Sequence, residues 1–159
     1  MKRMGLFALL LPVLMAAVAA HASAITLGQF DGMVDFSATL KSLSTDASET
    51  HSVPLTGKLV ILTGEIETVD IVGRDKNDFA ADLRLIDGQW QALTSISLYR
   101  CLVTLRGAHF ASLVSARPEP GTIQPNTQLL VVGTVTGVQT DTDGVTVPVV
   151  DALEVRPID

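Results

Sequence analysis

Three glycines standing inside apolar, strand-like runs constrain this chain more than any other feature. Gly64 interrupts the run that begins Leu59-Val60-Ile61-Leu62, and Gly133 and Gly137 interrupt residues 129–138. Glycine weakens a strand unless the strand must bend, bulge or let another backbone pass close by. A flat sandwich has little use for three such positions. A small barrel closed from few strands must coil each of them sharply. The glycines therefore predict a closed, strongly bent sheet.

The rest of the pattern agrees. A long strand is predicted over residues 57–72, followed by a turn at 73–77. Phe79, Ala81, Leu83 and Leu85 alternate in a second strand that ends at Asp87-Gly88. A third runs over residues 92–105, with Tyr99, Cys101, Val103 and Leu105 on one face and Leu98, Arg100, Leu102 and Thr104 on the other. His109, Phe110, Leu113 and Val114 then fall at helical spacing, and Arg117-Pro118-Glu119-Pro120-Gly121 ends that element. Residues 129–138 are strand, the DTDG of 141–144 is a tight hairpin turn, and 145–155 is the last strand. Pro148 marks an edge or a bulge in it.

Three strands, a short helix and two strands, with long first and fourth strands, is the order of the five-stranded OB barrel. One further strand is expected ahead of it. Val34, Phe36, Ala38 and Leu40 alternate with Asp35, Ser37, Thr39 and Lys41. A helix through Phe30, Val34, Leu40 and Leu43 is the rival, and the unbroken alternation favours the strand. Residues 44–54 are polar, end in proline and read as a loop. The predicted fold class is all-β: an OB-like barrel over residues 57–159, one short helix, and an N-terminal strand and linker over 25–56.

Residues 1–24 read as a signal peptide. Lys2 and Arg3 precede an apolar run over 6–20, and Ala22-Ser23-Ala24 supplies an A-x-A cleavage site after Ala24. The run is shorter than the roughly 20 residues that span a bilayer, so no lasting membrane insertion is expected. A periplasmic product follows from this reading. The chain carries 11 Lys and Arg against 17 Asp and Glu, and loss of Lys2 and Arg3 takes the formal charge from −6 to −8. Such a surface repels phosphate backbones and favours cationic partners. Cys101 is the only cysteine, so no internal disulfide holds the fold.

The stretch 123–157 has a Pro125-Asn126 turn, the strand Leu130-Val131-Val132-Gly133-Thr134-Val135-Thr136-Gly137 and a closing Val147-Pro148-Val149-Val150. It resembles the C-terminal part of Slp-type outer-membrane lipoproteins and related periplasmic OB-fold families. The lipobox cysteine of Slp-type proteins is absent here. The resemblance implies an envelope binding or stress-related module and carries over no catalytic residues.

OB barrels bind ligands on one face, between the loop joining strands one and two and the loop joining strands four and five. Here those loops are residues 73–77 and 140–144. Asp70, Asp75 and Asp78 surround the first, and Asp141 and Asp143 lie in the second. If they share a rim, their carboxylates concentrate cations. The expected site is Asp75, Asp78, Asp141 and Asp143 as charge donors, with Arg84 and Trp90 as contacts on the barrel face. Turn chemistry alone also explains each loop, since tight turns favour Asp, Asn and Gly.

Other chemistry has less to stand on. Neither loop continues into a calcium-loop pattern, so no metal and no cofactor are expected. Nucleic-acid binding needs a basic groove with aromatic platforms. Phe79, Arg84, Trp90, Tyr99, Arg100 and Arg106 are the available parts, but Phe79 and Tyr99 alternate with the core set and acids outnumber bases nearby. Charge and compartment together exclude nucleic acid from this reading. No G-x-S-x-G elbow, H-E-x-x-H helix or C-x-x-C pair is present, and Cys101 lies on the apolar side of its strand, so pairing with His109 as a nucleophile is disfavoured. The expected function is a non-enzymatic periplasmic module for a small cationic ligand or a basic envelope protein. The rival is a structural component of an envelope complex, in which residues 33–43 and the Pro148 strand pair with partner chains.

Overall fold

Five long strands close on one another in the computed structural model, which describes residues 27–75, 78–114, 121–141 and 143–158. In chain order the elements are α1 (Leu27–Met33), β1 (Val34–Asp35), α2 (Leu40–Thr50), β2 (Leu59–Gly73), β3 (Ala80–Ala92), β4 (Ser95–Arg106), a 3-10 turn (Ala108–Phe110), β5 (Gln128–Thr140) and β6 (Thr146–Pro157). The second half of β2 pairs antiparallel with β3 and its first half with β5. Glu65 belongs to both ladders, opposite Ile86 and opposite Gln128. β3 pairs antiparallel with β4, and β5 with β6. The ring closes through a short parallel ladder between β4 and β6, from Leu102↔Val149 to Thr104↔Asp151. This is the all-β, OB-like barrel expected from the strand order.

Two of the three glycines are required by close backbone approach. A Cβ at Gly64 would stand 2.7 Å from the Ile86 carbonyl oxygen and 2.9 Å from Leu85 Cγ. One at Gly133 would stand 2.5 Å from the Asp151 carbonyl oxygen. β5 also slips register between Val132 and Gly133 and again between Val135 and Gly137. These bulges bend the strand and increase its twist. Pro148 sits beside the second bulge, one residue ahead of the ladder with β4. Inward-facing Leu62, Ile66, Leu83, Leu85, Val103 and Val131 fill the barrel and are fully buried.

The N-terminal segment departs from expectation. Asp35 Oδ1 accepts hydrogen bonds from the Ser37 N–H (2.9 Å), the Ser37 hydroxyl (2.7 Å) and the Ala38 N–H (3.1 Å). That turn follows β1, a two-residue strand paired in parallel with Leu59 and Val60. Thr39 then caps α2: its hydroxyl accepts from the Ser42 N–H, while Ser42 Oγ accepts from the Thr39 N–H, both at 3.0 Å. Leu40, Leu43 and Ala47, at i, i+3 and i+7, are all buried. The expected loop over 44–54 is therefore largely helix. Its polar composition belongs to the solvent face, while its apolar stripe packs on β4 and β6.

α2 lies where β4 and β6 part. Their ladder begins at Leu102, and two residues earlier the Arg100 N–H is bonded to Ser44 Oγ at 3.1 Å. The helical element expected after β4 is reduced among the described residues to the 3-10 turn, whose Phe110 is buried. The expected signal peptide, residues 1–24, lies outside the described residues, as do residues 115–120.

Candidate ligand-binding face

The outer face of β3 and β4 follows from simple alternation. Leu83, Leu85, Cys101 and Val103 point inward and are fully buried, so their neighbours point out. Across the ladder, Arg84 stands opposite Leu102, Ile86 opposite Arg100, Gly88 opposite Leu98, and Trp90 opposite Ile96. β3 does not end at Asp87-Gly88 as expected, because the ladder continues to Ala92↔Ser95. The hairpin thus runs on past its neighbours: pairing of β3 with β2 stops at Ile86, and that of β4 with β6 starts at Leu102. Trp90 is 70% exposed, Leu93 99%, Ile96 47% and Leu98 46%. Residues 88–98 carry no ionisable side chain. The face has two arginines at its centre and an uncharged, apolar strip towards its tip.

Both arginines are matched by carboxylates. Arg84 Nη2 lies 2.6 Å from Asp141 Oδ1, and Arg84 Nη1 lies 3.4 Å from Glu67 Oε2. The two side chains of the shorter contact are largely covered, at 23% and 9% exposure. Arg100 Nη1 reaches Asp143 Oδ2 at a looser 3.6 Å, and that aspartate is 56% exposed. Arg100 Nε is buried and has no hydrogen-bond partner among the described residues. A small cavity of about 40 Å³ adjoins it, lined by both arginines, Leu102, Gln139 and Asp141.

Two of the expected rim carboxylates are matched to arginines. Asp141 and Asp143 do belong to the β5–β6 hairpin, closed by the Asp141 N–H to the Val145 carbonyl at 2.7 Å. Their charges are spent on Arg84 and Arg100. Asp75 and Asp78 form their own turn, with the Asp78 N–H bonded to the Asp75 carbonyl at 3.0 Å. That turn precedes Ala80, and Arg84 lies a further four residues along β3, about 13 Å of strand. The two pairs are built separately, one in a turn closed on itself and the other tied to Arg84 and Arg100. Of the expected site, Arg84 is brought together with Asp141, and Trp90 stands apart on the same face.

Glu67 was missed as a member of this face, and Arg100, counted only among the parts for nucleic-acid binding, was left out of the expected site. The alternation of β4 already put Arg100 opposite Cys101. Glu65 and Glu67, two apart in β2, would share one side of a regular strand, but β2 shifts register between Ile66 and Thr68. Glu67 then turns to Arg84, while Glu65 accepts from Gln128 Nε2 at 3.2 Å. Cys101 is buried, its thiol is 3.6 Å from the Leu102 carbonyl, and burial pushes its pKa up to about 12. Such a thiol is a core hydrophobe. Among the described residues no group of three His, Cys, Asp or Glu is placed to hold a metal ion.

No protein-family model matches the chain, and no curated protein matches it. Solved structures do. The chain is similar to the single-stranded DNA-binding protein of Plasmodium falciparum in complex with ssDNA, at 12% identity over 64% of this chain and 94% of that one, with a TM-score of 0.45. It is similar to the N-terminal domain of PriB from Thermoanaerobacter tencongensis (12% identity, 64% and 96%, TM-score 0.40). A small single-stranded DNA-binding protein from Streptomyces coelicolor also matches (14% identity, 63% and 93%, TM-score 0.43). These neighbours are not Slp-type or periplasmic envelope proteins, and the expected kinship is corrected accordingly. The envelope module with a cationic partner is withdrawn, and so is the exclusion of nucleic acid. That exclusion rested on compartment, net charge and the acids near these strands, and the acids nearest this face are paired with its arginines.

Proposed function

We propose that this chain is a non-enzymatic binding module that lays a single strand of nucleic acid across the outer face of β3 and β4. Trp90 carries the reading: an exposed indole on the same strand face as Arg84, with Ile96 opposite it and Arg100 further along the neighbouring strand. A base stacks on such a ring whatever its sequence, worth about 1–3 kcal/mol, while an arginine meets the phosphate. One ring and two partly neutralised arginines make a weak binder without sequence preference.

Trp90 is the only tryptophan, so its fluorescence reports on this face alone. Titration with an oligo(dT) should quench it, and Trp90→Ala should weaken capture of a labelled oligo(dT) by about ten-fold. A wild-type protein that neither quenches nor retains the oligonucleotide overturns the reading.

The paired arginines and the uncharged residues 88–98 favour a second reading, a neutral oligosaccharide, which this face of OB barrels also takes. Quenching by maltohexaose, unaffected by salt and absent with oligo(dT), would establish it. Export is part of the proposal on the strength of residues 1–24, and a mature N-terminus at Ile25 in the processed protein is its test.

A further inference from the structure

We propose that Arg100 is the anchor for the ligand's phosphate and that Asp143 is a gate over it, competing with the incoming anion for the same guanidinium. The inference rests on the nucleic-acid reading above and adds how that site is regulated. The two arginines differ in what they have left to give. Arg84 is held at both Nη atoms, by Asp141 at 2.6 Å and Glu67 at 3.4 Å. It ties β3 to the β5–β6 hairpin and to β2. Arg100 has one long contact, 3.6 Å to a carboxylate that is more than half exposed, and its Nε has no hydrogen-bond partner among the described residues. Arg100 also lies nearer Trp90: it pairs across from Ile86, four residues from the indole on the same face of β3.

A phosphate docking on Arg100 would meet the Asp143 carboxylate at contact range, and like charges repel most where water is partly excluded. Asp143 sits at the hairpin tip, beside Gly144 at φ +76°, and its side chain must turn outward for the anion to enter. The ion pair therefore keeps the face closed to anions and favours a strand held at several points over free phosphate.

Binding of a fluorescent oligo(dT) by full-length wild type, Asp143→Asn, Arg100→Gln and the double variant tests this, with circular dichroism confirming that each is folded. Asp143→Asn should tighten binding about five-fold at low salt, and the gain should shrink as salt screens the pair. Arg100→Gln should weaken binding and erase the gain in the double variant. An equal gain with and without Arg100 would reduce Asp143 to a general surface charge and overturn the gate. Unchanged affinity in Asp143→Asn overturns it too, while leaving the nucleic-acid reading intact if wild type binds. Binding by none of the four overturns both.

Discussion

Arg84 and Asp141, 57 residues apart in sequence, meet at 2.6 Å and fasten the β5–β6 hairpin to the outer face of β3. The contact is neither fully buried nor open. Removing one partner leaves a largely covered charge alone, which costs more than losing a surface pair and less than orphaning an ion in the core. Asp141→Asn and Arg84→Met should each lower unfolding free energy by about 1–3 kcal/mol in urea titrations followed by Trp90 fluorescence. The double variant should lose less than the sum.

Gly64→Ala should be among the most damaging single changes, because its methyl would stand 2.7 Å from the Ile86 carbonyl oxygen, a backbone atom that cannot rotate aside. Overpacking of this kind costs about 1–3 kcal/mol. Denaturant midpoints of Gly64→Ala and of Gly28→Ala, whose added Cβ meets nothing within 4 Å, measure the contrast.

Thr39→Ala removes the half of the α2 capping box in which the Thr39 hydroxyl accepts from the Ser42 N–H and should cost about 1 kcal/mol. Leu43→Ala, emptying a fully buried position, should cost about 3 kcal/mol. Hydrogen exchange at the Arg100 amide, bonded to Ser44 Oγ, should quicken in both variants.

Cys101 makes the folded protein sensitive to alkali. Burial holds its thiol neutral up to about pH 12, against an ordinary value of 9.0. Between those values the unfolded chain gives up the proton and the folded chain keeps it, so stability falls as pH rises. Stability measured over that range should fall more steeply for wild type than for Cys101→Ala. Thiol reagents at pH 8 should label Cys101 only after urea unfolds the chain.

If Arg100 is the principal phosphate contact, affinity for oligo(dT) should depend weakly on salt. Each phosphate neutralised on a single strand contributes a slope of about −0.7 in log affinity against log salt. A measured slope near −4 would require basic residues beyond Arg84 and Arg100.

The barrel was legible because its signals are local. Alternation at Phe79 to Leu85 and Tyr99 to Leu105, and glycines where strands cross, depend on backbone geometry that neighbouring residues report. The helix over Leu40–Thr50 was hidden by an accident of composition: Val34 to Lys41 alternate like a strand, yet the Asp35 side chain turns the backbone at Ser37 and Ala38. The capping pair Thr39 and Ser42 and the spacing of Leu40, Leu43 and Ala47 were the available signal. The site was less legible, because charge counts do not say which carboxylate faces which arginine. That pairing is set by the register slip at Ile66/Thr68 and by the hairpin fold, both products of tertiary structure.

The seat of α2 also dictates when the molecule can finish folding. Leu43 and Ala47 are made before the five barrel strands, but part of their resting place is β6, the last of the five. A nascent polypeptide therefore carries this helix without its full seat until β6 has appeared. Contacts spanning so much of the chain form slowly. The helix reaches its full seat only after all five barrel strands have been made.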